Sequence, residues 1–236
     1  MLLYGPAKLG KSLLVEQLAF DVANGLPWMG VWPTTQGQVV YVQCELPRAM
    51  FRDRVRSMYT AYPDTPAESL YLLTTLTMRA VAHDTEFEAL LEALEHIRPA
   101  LTILDPQYKL LAEGADENSA RDMTVLYNRL DTIIARVGCS VLLVAHSRKT
   151  RFDEAGNLVD GGAQDLSGTQ RQGAWADAVL HLKPKANDKA QLVVEAMRYA
   201  AYPDPLQLSA IDDETLVRVA EGGRGKGNED LIRLLD

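Results

Sequence analysis

Short, unbroken apolar runs alternate along this chain with longer stretches in which apolar residues return every three or four positions. The first run is Leu2-Leu3-Tyr4, and others fall at residues 39–42, 70–73, 101–104 and 140–145. Runs this short predict strands, and Leu101-Thr102-Ile103-Leu104 is apolar enough for burial on both faces, as in a parallel sheet. Helical patterns lie between them. Leu13, Leu14, Gln17 and Leu18 mark an amphipathic run directly after the first strand, and residues 47–59 offer Met50, Val55 and Met58 for burial within an Arg-rich stretch. Thr85-x-x-Glu88 has the form of a capping box, with Phe87, Leu90, Leu91, Leu94 and Ile97 at helical spacing. The clearest amphipathic helix runs through Met123, Leu126, Tyr127, Leu130, Ile133, Ile134 and Val137, and Gly138 stops it.

Past residue 150 the pattern changes. Apolar runs at 178–182, 191–196 and 206–209 are separated by short turns at 185–188 and 202–205, which predicts antiparallel pairing at this end. There is no internal repeat and no second domain. The pattern predicts one α/β domain over residues 1–221, with a mainly parallel central sheet flanked by helices and antiparallel strands toward the C-terminal end. A flexible Gly-rich hinge and a short C-terminal helix would complete residues 222–236.

The junction between the first strand and the first helix carries the strongest chemistry. Gly5-Pro6-Ala7-Lys8-Leu9-Gly10-Lys11-Ser12 is a full P-loop pattern in its required strand-to-helix setting. The glycines let the backbone wrap so that successive N–H groups point at phosphate oxygens, and the helix start adds the positive end of its dipole. Lys11 is placed to neutralise the β- and γ-phosphates, and the Ser12 hydroxyl to ligate Mg²⁺. A Gly-rich turn matching by chance would not need a buried strand before it and an amphipathic helix after it. Asp105 ends the strand at 101–104. A carboxylate there, beside a P-loop, is placed to hold Mg²⁺ directly or through water, although Asp-Pro is also a common way to start a turn.

Composition narrows the setting. At 236 residues, with 47% hydrophobic and 24% charged residues, the chain has ordinary globular composition. No apolar run reaches the roughly 18 residues of a membrane helix, and residues 1–12 read as strand and phosphate loop instead of a cleavable leader, so a cytoplasmic protein without membrane contact is expected. Cys44 and Cys139 sit inside apolar runs and read as buried free thiols. The net charge of −8 excludes a surface that binds nucleic acid everywhere, so any such contact must be local to loops.

The ordered set Gly5 to Ser12, Cys44-Glu45-Leu46-Pro47, Leu104-Asp105-Pro106, Asp116-Glu117-Asn118, Val144-Ala145-His146-Ser147-Arg148-Lys149 and Leu166-Ser167-Gly168-Thr169 covers nearly the whole chain. It resembles the RecA-like ATPase core of hexameric replicative helicases of the RepA and DnaB type, and among these the RepA-like AAA ATPases of plasmids and phages. The resemblance implies a RecA-like P-loop fold, ATP and Mg²⁺ as cofactors, and a homo-oligomeric ring or filament, a hexamer in the family. It assigns Glu45 to orienting and deprotonating the water that attacks the γ-phosphate, where the residues alone allow a surface carboxylate capping the next helix. It assigns His146 to sensing the γ-phosphate, where a lone histidine at a strand end can equally be structural.

Two segments are candidates for single-stranded DNA. Residues 147–171 carry Arg148, Lys149, Arg151 and Arg171 with Phe152, and residues 106–116 carry Tyr108 and Lys109. In the resembling hexamers the corresponding loops line the central channel, but Asp153, Glu154, Asp160 and Asp165 dilute the charge here, and a solvated loop stays open as an alternative. Arg48, Arg52, Arg54 and Arg56 read as a solvated helix face.

The chain departs from the family at the arginine finger. DnaB-type motors place Lys-x-Arg on a late strand; here Ala196-Met197-Arg198 stands there, so only Arg198 could reach a neighbour's γ-phosphate. RepA's finger lies nearer the Ser167-Gly168-Thr169 segment, where this chain offers Asp177 with Arg171 close by, and a structural pairing of Arg198 with Glu195 or Asp204 is the competing reading. The sequence also starts close to the P-loop and carries no primase, primase-binding or zinc segment, which leaves open both a fragment of a longer protein and an ATPase that works with separate partners. The expected function is a Mg²⁺-dependent ATPase acting as a DNA helicase or single-stranded DNA translocase in replication or recombination. The rivals are an ATP-switched assembly or recombination-mediator protein and a KaiC-like signalling ATPase.

Overall fold

The computed structural model of the protein describes residues 1–74, 81, 83–147, 151–152, 158–159, 174–185, 190–210 and 217–219. Strands and helices alternate through the first two thirds as β1 (Leu2–Gly5), α1 (Lys11–Asn24), β2 (Val39–Gln43), α2 (Arg48–Ala61), β3 (Leu70–Thr74), α3 (Asp84–Ile97), β4 (Leu101–Asp105), α4 (Ala120–Val137) and β5 (Ser140–His146). A single 3-10 turn, Gln107–Leu110, follows β4. A small hairpin of β6 (Arg151–Phe152) and β7 (Leu158–Val159) comes next, then β8 (Ala178–Pro184), β9 (Ala190–Met197), β10 (Leu206–Ala210) and β11 (Val217–Val219). The hairpin strands and β11, at two, two and three residues, are too short to show in the apolar pattern.

One nine-stranded sheet has the order β11-β10-β9-β8-β1-β5-β4-β2-β3. From β3 across to β8 every pairing is parallel, and β8-β9, β9-β10 and β10-β11 are antiparallel. The expected split between a parallel body and an antiparallel C-terminal end is therefore present, with its boundary one strand later: β8 still runs parallel to β1. All residues of β1, β2 and β4 are buried. Their side chains alternate between two core layers, Val40 and Val42 facing α3 and α4 while Val39 and Tyr41 face α1 and α2. This is the two-sided burial that the unbroken apolar runs require.

Two local expectations are corrected. Thr85 does not cap α3, which starts at Asp84 with His83 in the cap position and no side-chain cap bond. On α2, Met50 is 61% exposed, and the inward stripe is Phe51 and Met58, both buried, with Val55 partly buried between them. By contrast, α4 ends as expected on Gly138, in the left-handed region at φ 73°, and it starts on a cap the apolar pattern did not mark, the Ser119 side chain accepting from the Asp122 N–H at 3.3 Å. No helix among the described residues is long and apolar enough to cross a membrane. Residues 222–236, expected to form a hinge and short helix, lie outside the described residues.

Parallel pairing aligns the strand ends. Gly5 pairs with His146 and Gln43 with Asp105, so the segments leaving β1, β2, β4 and β5 emerge together along one edge of the sheet. In open α/β sheets, ligands bind at such carboxyl edges.

Candidate active site

The P-loop connects β1 to α1 by a tight wrap that only particular residues permit. A Cβ on Gly5 would sit 2.4 Å from the Leu182 carbonyl oxygen of β8, so no side chain fits there. Gly10 stands in the left-handed region at φ 93°, directly before α1. No side chain caps that helix, and its first turn carries no acid, so its N-terminal dipole is open to an anion. Lys11 is 5% exposed, and its Nζ donates to the carbonyls of Gly5 at 2.8 Å and Pro6 at 2.7 Å. Burial lowers its ammonium to about 8, against the pull of Asp105 and Glu45, which leaves it charged at neutral pH.

Asp105 closes β4 and is 2% exposed. The Tyr41 hydroxyl donates to its Oδ2 at 2.8 Å, and the Ser12 hydroxyl also hydrogen-bonds the carboxyl. Burial pushes the carboxyl pKa up, partly offset by these two hydroxyls and by Lys11, while Glu45 pushes the same way as burial. Ser12 and Asp105 thus present hard oxygen donors beside a phosphate loop, the donor set Mg²⁺ takes, and the residues fit a magnesium-bound nucleoside triphosphate. Glu45 lies exposed two residues past β2 and accepts from the Tyr108 hydroxyl at 3.3 Å. The His146 Nδ1 is 3.4 Å from Lys11 Nζ, and its ring is 5.6 Å from that of Tyr108. Burial, and then the Lys11 charge, lower the pKa of this imidazole. Backbone bonds from Cys44 N to Asp105 O at 2.9 Å and from Ser147 N to Gly5 O at 3.0 Å tie the neighbouring segments together.

Residues 1–151 match the sequence profile of a family described as AAA domain. The chain belongs to this AAA domain family. Among solved structures, it is similar to a KaiC-like protein from the hyperthermophilic archaeon Pyrococcus horikoshii OT3 at 15% identity and TM-score 0.62, covering 93% of this chain and 88% of that one. It is also similar to a RadB recombinase at 16% identity and TM-score 0.60, covering 93% of this chain and 89% of that one. At these identities the likeness is one of fold: the AAA domain has a RecA-like P-loop ATPase architecture, as the motif order implied.

Every site residue assigned from residues 5–146 therefore sits at the same edge of the AAA domain. Arg198 does not. Leu2 pairs with Val179, and Ala178 pairs with Met197, so Arg198 leaves β9 at the opposite edge, where β1 begins. A strand of four residues spans about 13 Å, which separates Arg198 from its own P-loop. Its Nη1 is 2.8 Å from Asp177 Oδ1 and its Nη2 donates to Ala174 O at 2.9 Å. The expected partners Glu195 and Asp204 are not used; Glu195 instead holds the His181 Nδ1 at 2.8 Å and Lys183 Nζ at 3.1 Å and accepts from the Tyr4 hydroxyl. Arg148, Lys149, Arg171 and the Leu166 to Thr169 motif lie outside the described residues, and only the backbone of Arg151, in β6, is described. Asp116 accepts from the Asn118 N–H at 2.8 Å and shapes the turn leading to α4.

Three site residues escaped sequence reasoning. Tyr41 read only as part of an apolar strand, yet it holds Asp105. Tyr108 was marked only for nucleic acid, yet its hydroxyl also reaches Glu45. Glu16, four residues after Ser12 on α1, is 2% exposed and pairs through Oε1 with Arg54 Nη1 at 3.0 Å, while its Oε2 has no hydrogen-bond partner among the described residues. Arg54 thus leaves the solvated cluster assigned to it; the available signal was its place between Phe51 and Met58 on the buried side of α2.

Proposed function

We propose that this AAA domain is a Mg²⁺-dependent ATPase acting as a DNA helicase or single-stranded DNA translocase in replication or recombination, in a homo-oligomeric ring or filament, a hexamer by its family resemblance. The convergence of Lys11, Ser12, Asp105, Glu45 and His146 on one sheet edge supports hydrolysis. Ser12 and Asp105 would hold a Mg²⁺ ion, which would supply charge neutralisation for the bound phosphates, and Lys11 would exchange the Gly5 and Pro6 carbonyls for phosphate oxygens. Glu45 orients the attacking water and takes its proton, and His146, beside Lys11, responds to the γ-phosphate.

Oligomerisation is supported by the place of Arg198, which stands at the sheet edge opposite its own phosphate loop. As a finger it would serve a neighbour's γ-phosphate after releasing Asp177, an exposed pair that costs little to break. Arg171 is the competing finger, and Arg148, Lys149, Arg151 and Arg171 are the proposed contacts to single-stranded DNA.

The deciding experiment is steady-state ATPase activity with and without single-stranded DNA, together with unwinding of a forked duplex. Glu45→Gln is expected to keep Mg·ATP binding and lose about 100-fold or more in turnover, since the amide cannot accept a proton. Wild-type turnover in that variant refutes the assignment. A second reading, a recombination-mediator or signalling ATPase without unwinding, is favoured by the fold shared with a RadB recombinase and a KaiC-like protein over 93% of the chain. ATP turnover that DNA stimulates without strand separation would support the mediator, and turnover indifferent to DNA the signalling protein.

A further inference from the structure

The turn after Asp105 faces two ways. Gln107 and Leu110 are each 1% exposed and anchor it to the core, which leaves Tyr108 and Lys109 directed outward. Tyr108 is 38% exposed, and the Lys109 Nζ stands 5.5 Å from its ring centroid. Inward, the Tyr108 hydroxyl donates to Glu45 Oε1 at 3.3 Å, and its ring lies 5.6 Å from the His146 ring. One side chain thus touches both the water-orienting carboxylate and the γ-phosphate sensor, and also stands in solvent beside a cation.

Resting on the role given to Glu45 above, the geometry points to Tyr108 as a gate on that carboxylate, opened when a base of single-stranded nucleic acid stacks on its exposed ring. A hydroxyl donated to Oε1 ties the carboxylate to Tyr108 and takes up part of the acceptor capacity that serves the attacking water, so the bond restrains turnover. At 3.3 Å and open to solvent the bond is weak enough to exchange. An aromatic ring with an adjacent cation is the pairing that single strands use, base on ring and phosphate on ammonium, without regard to sequence. The ring and the hydroxyl are one rigid unit, so a base that reorients the ring withdraws the hydroxyl from Glu45. The strand thereby binds the open state better than the closed one, which is the differential affinity a switch requires.

The test uses Tyr108→Phe, which keeps the ring and removes only the hydroxyl, and Tyr108→Ala, which removes both. ATPase kcat and KM are measured with and without oligo(dT), and oligo(dT) affinity by fluorescence anisotropy. For Tyr108→Phe, basal kcat should rise about fivefold, the effect of one ordinary hydrogen bond, with KM for ATP unchanged, oligo(dT) affinity equal to or tighter than wild type because the closed state no longer competes, and stimulation by oligo(dT) largely lost. Tyr108→Ala should also weaken oligo(dT) binding about tenfold. Basal kcat in Tyr108→Phe at or below wild type, or stimulation fully retained, overturns the gate; so does wild-type turnover that answers to protein concentration but not to oligo(dT). Glu45→Gln separates the two claims. If it is inactive while Tyr108→Phe behaves as wild type, the gate alone fails. If it turns over normally, the role of Glu45 fails first.

Discussion

Glu16 offers a quantitative check on the buried charges behind the phosphate loop. Its carboxyl is taken out of water on α1, and burial raises it from 4.5 to about 7 despite the Arg54 guanidinium at 3.0 Å. Below pH 4.5 the group is neutral in both folded and unfolded chains and contributes nothing to the pH dependence. Between pH 4.5 and 7 the folded state holds a proton that the unfolded state has released, so stability falls as pH rises, and above about 7 the full loss has been taken. The size of the shift corresponds to about 3 kcal/mol. Glu16→Gln keeps the shape and an oxygen for Arg54 but cannot ionise. Urea unfolding followed by circular dichroism, from pH 4.5 to 8, should show the stability of the variant relative to wild type climbing by about 3 kcal/mol across that window. Asp21, whose carboxyl is raised to about 6 chiefly by burial, gives the same sign of slope in both proteins and cancels in the difference. A difference that stays flat with pH would show that Glu16 is not ionised against a desolvation cost, and the account of this cluster would fall.

Two further outcomes are expected. Lys11→Ala should fold normally and lose nucleotide binding, measured by fluorescent-nucleotide titration, because its ammonium bonds the loop carbonyls of Gly5 and Pro6 and the His146 ring instead of anchoring the apolar core. Specific ATPase activity should rise with protein concentration, and mixing Arg198→Ala with Lys11→Ala subunits should restore part of the turnover neither has alone, on the order of a thousandfold being lost without a finger; concentration-independent turnover by a monomer would exclude a finger donated between subunits.

The sheet's parallel body was legible because a strand buried on both faces is apolar along nearly its whole length, as β1, β2, β4 and β5 are apart from Thr102 and the polar residues at their ends. The phosphate loop was legible for a similar reason: Gly5 has no room for a Cβ against β8, and Gly10 adopts a left-handed backbone, so local sterics write themselves into residue choice. Asp105, Glu45 and His146 could be placed at strand ends, since parallel strands deliver their carboxyl ends to one edge. The partners of these groups were decided only by tertiary structure. Tyr41 is as apolar-looking as its strand neighbours, and nothing local distinguishes it from a packing residue until register brings β2 beside β4 and its hydroxyl to Asp105. Arg54 and Glu16 are 38 residues apart and meet because α1 and α2 share one face of the sheet. Arg198 stands beside Asp177 instead of Glu195 or Asp204 because the β8-β9 register sets Ala178 opposite Met197, while Glu195 is drawn to Tyr4, His181 and Lys183. Local sequence sets backbone geometry and burial pattern, because both act over a few residues. Pairings between charges depend on which strands become neighbours, and that is settled by the packing of the whole sheet.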